Sequence, residues 1–368
     1  MNTSDYLFPR RLTRRDFLKM AGVASAGVML PTIGRSKDEP KGEPVRIGSG
    51  YHTYEAVEDW GKLPEGMKYG FGCGVVVDSK DNVYVTSRSA NPCVSIWDRD
   101  GNLIETWSKE FAEDVGFTTA QVADTAHCLY LTRDRETGED VIFWTENIST
   151  NKQGQKFGAR VYKTDMRGKI FYEIGNVEKE GPNSQKFDWT NPTDVAVAPN
   201  GDIYVVDGYG SQRVSHFDKN FKHIRTIGGP GKEHGKFNTC HGIWINTLRH
   251  KPEVYIADRA NGRIEIYSME LDYKRTILDG IVRNPCCFYQ HKEFIYIPDL
   301  ASRVTIIDRE DNVVAQLGDG KGKPDKEHNP ALFAAPHALT VDSRGDLYVV
   351  EWVGFGRPRK FRHTPQTV

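Results

Sequence analysis

Three histidines, His127, His241 and His337, fall at one register of a pattern that the chain repeats six times. Imidazole is well suited to hold a transition metal near neutral pH. Read through all six copies, that register gives Cys73, His127, Thr193, His241, Cys286 and His337, so the histidines take every second copy. If the copies surround an axis, alternate ones stand about 120° apart, and three inward imidazoles converge as a trigonal set with one coordination position open. Such a set suits a Lewis acid or a metal-activated hydroxide. Zinc is the preferred ion, although imidazole ligands also admit iron, copper or nickel. The competing reading is a ring of channel histidines bonded only to water.

Residues just after the second strand of each copy emerge at one mouth of the same axis. They are Arg88 in the first copy, Tyr209 in the third, Arg259 in the fourth, and Glu351 with Trp352 in the sixth. Two arginines can grip a carboxylate, and they are expected to lower the pKa of Tyr209 and make it a usable general base. Taken singly, an arginine here could brace a turn and a tyrosine could simply pack.

The elements that must position these residues are read from internal repetition. Residues 75–85, 194–205 and 338–349 share one unit: an alternating strand, an Asn/Gly/Asp turn and a second alternating strand. Weaker copies begin at His127, His241 and Cys286. Each unit runs on into a third and usually a fourth strand, as at 94–107 and 214–227. Four antiparallel strands per repeat of about 40 to 50 residues make the blade of a β-propeller, so the fold class is all-β with six blades. The sixth copy ends near Phe361 without a last strand. Residues 44–51 are expected to supply it, closing the ring and removing an exposed edge. The pairs Asp207 and Arg213, Asp258 and Arg263, and Asp299 and Arg303 resemble NHL-type propeller repeats and read as braces of the blade turns. Insertions at 108–126 and 148–159 could wall the mouth.

Charge is nearly balanced, with 49 Lys and Arg against 50 Asp and Glu, so neither nucleic acid nor an anionic membrane surface is expected as a partner. A mean hydropathy of -0.56 excludes a multispanning membrane protein. Near the start, Thr13-Arg14-Arg15-Asp16-Phe17-Leu18-Lys19 precedes a short apolar run rich in Ala and Gly over 20–30, the pattern of a twin-arginine export signal. The expected organisation is a signal over 1–34, a polar linker over 35–43 and a propeller over 44–368. The protein is then periplasmic or extracytoplasmic, with the twin-arginine translocation machinery as its partner during export. If the signal is not removed, the segment stays as an anchor. The six cysteines show no framework spacing, and no obligatory disulfide scaffold is expected.

The stretches 73–78 with Arg88, 126–129, 185–187 leading to 192–197, 206–209, 235–241, 257–264 and 336–337 together resemble the catalytic domain of peptidyl-α-hydroxyglycine α-amidating lyase, over most of residues 65–362. The resemblance implies a six-bladed NHL propeller in which His127, His241 and His337 bind zinc. It also implies that Tyr209 is the catalytic tyrosine and that Arg88 and Arg259 are active-site arginines. The implied reaction is that of a carbon-nitrogen lyase, cleaving the N–Cα bond of a carbinolamide to an amide and glyoxylate, with a small-molecule or peptide-derived substrate and no redox cofactor. The family's calcium-ligating aspartate is replaced by Ala338, its methionine by Ala335 and its disulfide cysteine by Gly210, so that disulfide does not carry over and a calcium site is in doubt. A monomer is expected. Two other readings stay open: a metal-dependent hydrolase or lyase of another small substrate on the same histidines, and a non-catalytic NHL propeller that binds protein or glycan.

Overall fold

Short alternating strands bounded by tight turns pair with their sequence neighbours, and in the computed structural model they form six small sheets standing in a ring, a six-bladed β-propeller. It describes residues 44–108, 119–150, 152, 154–321 and 332–366; the expected signal over 1–34, the linker over 35–43 and part of the 108–126 insertion lie outside the described residues. From the axis outward, blade one runs Gly72–Val77, Val83–Ser87, Val94–Trp97 and Leu103–Trp107. Blade two begins at Ala126–Arg133, blade three at Asp194–Val197, blade four at Cys240–Asn246, blade five at Tyr289–His291 and blade six at Pro336–Val341.

Blade six is completed from the start of the propeller, but one strand later than the sequence predicts. His52–Val57 pairs with Pro358–His363, and Arg46–Ser49 adds a fifth strand outside it. The strand His52–Val57 buries His52, Thr53 and Tyr54 in succession, whereas Arg46–Ser49 buries only Ile47. Burial therefore decides which strand lies next to the blade. The Tyr54 hydroxyl, 3.0 Å from that of Tyr296, ties this closure to blade five.

The recurring aspartate between third and fourth strands, or between first and second, is explained by the turn. Asp78 Oδ1 accepts the backbone N–H groups of Lys80 and Asn82 at 2.9 and 2.8 Å, and Asp98, Asp165, Asp218 and Asp308 repeat this geometry. The core lies between blades. Tyr84, Ile96 and Trp107 of blade one, for instance, pack on Ile142, Trp144 and Tyr162 of blade two.

Candidate metal and active site

The register residues reach the axis because the sheet lets them go. In blades one, four and six the ladder between inner and second strands slips between Gly72 and Gly74, between Cys240 and Gly242, and between Pro336 and Ala338. In blade two it slips from Ala126 to Leu129. These bulges leave Cys73, His241, His337 and His127 out of the ladder and turn them inward. A residue at the end of each second strand, Glu146 in blade two, holds the chain leading to the register position of the same blade. Ser87 accepts the Gly70 N–H at 3.1 Å, Asp207 that of Asn191 at 2.6 Å and Asp258 that of Asn238 at 2.8 Å. Likewise Asp299 accepts Asn284 N–H at 3.0 Å, Glu351 accepts Ala334 N–H at 2.6 Å and Glu146 accepts the Thr125 hydroxyl at 3.0 Å.

This corrects two sequence expectations. Of the three Asp–Arg pairs, Asp258 and Arg263 form an ion pair at 2.8 Å, while Asp207 and Asp299 are bonded chiefly by backbone N–H groups and have no ion pair among the described residues. Glu351 does not face the mouth: it is fully buried, bonded to Ala334 and to Arg357.

The structure brings His127, His241 and His337 together. Their ring centroids are 4.7, 4.9 and 5.0 Å apart, their planes are steeply inclined to one another, and all three are buried. Each Nδ1 meets a backbone carbonyl of the next blade: His127 that of Thr193 at 2.5 Å, His241 that of Cys286 at 2.9 Å and His337 that of Cys73 at 2.8 Å. A carbonyl only accepts, so Nδ1 must donate, and the lone pair of every imidazole sits on Nε2. The Nε2 atoms of His127 and His337 are buried without a hydrogen-bond partner. Three aligned lone pairs, two of them otherwise unsatisfied, fit a metal ion, and the trio could hold one. Burial holds the imidazoles neutral, pushing His337 down to about 3 and His127 and His241 well below their usual value, with nearby positive charge adding to the effect.

At the mouth, Tyr209 keeps 37% of its surface exposed while its hydroxyl reaches inward. It donates to His241 Nε2 at 3.1 Å and accepts from Arg259 at 2.8 Å, with the Arg259 guanidinium 4.9 Å from the ring centroid. The expectation that arginine lowers the Tyr209 pKa is corrected. Burial outweighs Arg259, and the phenol lies above its ordinary value near 10. Arg88 stacks 5.0 Å above Trp352, which itself stacks on His337, and it donates to Asn147 Oδ1 at 2.6 Å. Sequence reasoning missed Asn147, although it follows the second strand of blade two just as Arg88 and Arg259 follow theirs. One residue beyond the register, Cys128, Asp194 and Cys287 face a small cavity, and burial pushes the Asp194 carboxyl up to about 8. All six cysteines are free. In the described part of the insertions, Thr119–Thr125 is a helix whose Gln121 bonds Glu146, and residues 150 and 156 pair across a loop.

Comparison with known proteins agrees with this architecture. Residues 185–344 match a family described as a 6-bladed beta-propeller. Residues 11–31 match the twin-arginine translocation pathway signal sequence, which supports export across the cytoplasmic membrane. The chain is 27% identical over 215 residues to human NHL repeat-containing protein 3, covering 57% of this chain and 55% of that protein. It is 26% identical over 218 residues to a probable peptidyl-alpha-hydroxyglycine alpha-amidating lyase of Caenorhabditis elegans, covering 56% and 59%. Its relatives therefore include an amidating lyase and NHL-repeat proteins. The chain spans about half the length of these curated relatives. A streptogramin B lyase structure shares the fold, with a TM-score of 0.51 at 13% identity, covering 86% of this chain and 98% of that one. Among the described residues, no helix is long and apolar enough to cross a membrane.

Proposed function

We propose that this protein is an exported, zinc-dependent carbon-nitrogen lyase that cleaves the N–Cα bond of a carbinolamide, releasing an amide and glyoxylate. The observation that carries this reading is the convergence of three Nε2 lone pairs under the hydroxyl of Tyr209, itself held by Arg259. When bound, zinc would supply Lewis acidity and positive charge among the buried imidazoles.

The chain's own residues supply the rest. The backbone carbonyls of Thr193, Cys286 and Cys73 fix each imidazole as the Nδ1–H tautomer, so the ligand nitrogens are set before anything binds. Tyr209, as its tyrosinate, accepts the proton of the substrate hydroxyl as the carbon-oxygen double bond forms. The N–Cα bond breaks in the same step, and the departing amide nitrogen takes that proton back from the Tyr209 hydroxyl, which regenerates the tyrosinate. Arg259 hydrogen-bonds the Tyr209 oxygen and so stabilises its anionic form against the burial that disfavours it. In this reading Arg88 holds the carboxylate of an α-hydroxyglycine unit, a role supported by Asn147 and Trp352 fixing its guanidinium.

The test is glyoxylate release from an α-hydroxyglycine compound by zinc-loaded protein. Release that disappears in Tyr209→Phe supports the assignment. A zinc-loaded, folded protein that releases none overturns it.

A further inference from the structure

Directly below the histidines lies a second set of donors that the lyase reading leaves unused. Cys128 and Cys287 come from blades two and five, on opposite sides of the ring, yet their sulfur atoms are 3.4 Å apart and buried. Both lie within 4.8 Å of a His337 ring nitrogen, and because Nδ1 of His337 is committed to Cys73, the available atom is Nε2. Two local departures from the blade pattern produce this meeting. In blade two the slip from Ala126 to Leu129 frees two residues, so Cys128 leaves the ladder together with His127. In blade five the inner strand begins only at Tyr289, so Cys287 is outside it as well. Where the other inner strands slip, they release a single residue.

We propose that Cys128, Cys287 and His337 Nε2 form a second metal position, one layer deeper in the channel, for a thiophilic d10 ion such as zinc or cadmium. The two thiols share an S–H···S hydrogen bond, and their separation is nearer to that of two metal-bound thiolates than to that of a disulfide. Two thiolates on a tetrahedral zinc stand about 3.8 Å apart, given zinc-sulfur bonds of about 2.3 Å, whereas a disulfide requires about 2.05 Å. The observed 3.4 Å is a small adjustment from the first and a large one from the second. Binding releases both thiol protons to solvent, and a small ligand such as water completes the coordination. One Nε2 lone pair holds one ion, so an ion takes His337 either with the two other histidines or with the two thiols. The channel thus offers alternative positions, of which only the upper one faces Tyr209.

The experiment uses the full chain, with cobalt alone as the probe. In the variant His127→Ala/His241→Ala the upper set is dismantled and the lower one intact, so cobalt loading should produce thiolate-to-cobalt charge-transfer absorption. Adding Cys128→Ser/Cys287→Ser should abolish that band, while Cys286→Ser should leave it. A folded histidine variant that gives no such band, or a band that survives loss of both thiols, overturns the proposal. X-ray absorption of the cadmium-loaded His127→Ala/His241→Ala variant gives a second readout: sulfur scatterers support the site, and nitrogen and oxygen scatterers alone overturn it. A Cys128–Cys287 disulfide in the unreduced protein, detected by mass spectrometry, would also overturn it. These readouts are independent of glyoxylate release, so failure of either proposal is distinguishable from failure of the other.

Discussion

Blades two, four and six and blades one, three and five share one architecture, yet at the axis they do different work. The even blades present imidazoles. The odd blades present, at the same register, Cys73, Thr193 and Cys286, whose backbone carbonyls accept the Nδ1–H of the imidazole before them in the ring. This cluster of three histidines uses all six register positions, because each ligand is oriented by the backbone of a neighbour that is not itself one of the three. A side chain distinguishes the even blades, whereas the contribution of the odd ones lies in the backbone and survives changes of residue type.

That division can be broken at several levels. The largest effect is expected from His241→Ala. It removes an even-blade ligand and should lower metal affinity by more than about 100-fold, the upper end of what outer-shell changes cost, with glyoxylate release lost in parallel. Metal analysis after dialysis checks it, and retained stoichiometric metal would contradict the even-blade role. Tyr209→Phe should reduce kcat by about 10²- to 10⁴-fold while leaving metal content unchanged, since the phenol moves a proton and does not ligate in this reading. Steady-state kinetics beside metal analysis separates the two.

Smaller effects sharpen the contrast. Asp258→Ala strips the buried acceptor of Asn238 N–H and removes one of the two carboxylates that pair with Arg263, Glu265 remaining at 2.9 Å, which should destabilise the fold by about 2 kcal/mol. Because the segment it holds runs directly into His241, metal affinity should also fall about tenfold. The odd-blade counterpart, Asp299→Ala, should cost comparable stability in chemical denaturation but less affinity, since it reaches His241 only through the Cys286 carbonyl. Equal affinity losses would show that the two kinds of blade are not distinct in this respect.

The pH dependence of metal-free protein tests the burial of the even-blade imidazoles themselves. His337 is held at about 3 in the folded state against an ordinary value of 6.5, so the unfolded chain binds more protons between these values. Stability is therefore fully present above pH 6.5 and is lost as pH falls toward 3, by about 1.4 kcal/mol per pH unit for each such imidazole. Thermal melts of apoprotein from pH 7 to 4 check the sign. A flat profile would mean that the imidazoles are not desolvated.

Much of the blade pattern was legible because it is local. Period-two alternation and aspartate or glycine turns mark each hairpin, and the spacing of the copies places His127, His241 and His337 at one register. The closing strand was misplaced from 52–57 to 44–51 because both segments can pair, and only packing against Pro358–His363 ranks them. Glu351 was read as a mouth residue because its position in sequence cannot say whether a carboxylate points along the axis or back toward Ala334 N–H. Asn147 was missed because an asparagine after a strand reads as a turn residue until Arg88 arrives from the preceding blade.

Residue types and their periodicity alone determined that there would be six blades and that imidazoles would occupy alternate ones. Which nitrogen carries the lone pair, whether Tyr209 is raised or lowered in pKa, and the meeting of Cys128 with Cys287 were decided only by the tertiary structure. Those properties depend on burial and on contacts between groups as far apart in sequence as Cys73 and His337, and no local pattern encodes the distance between two such residues.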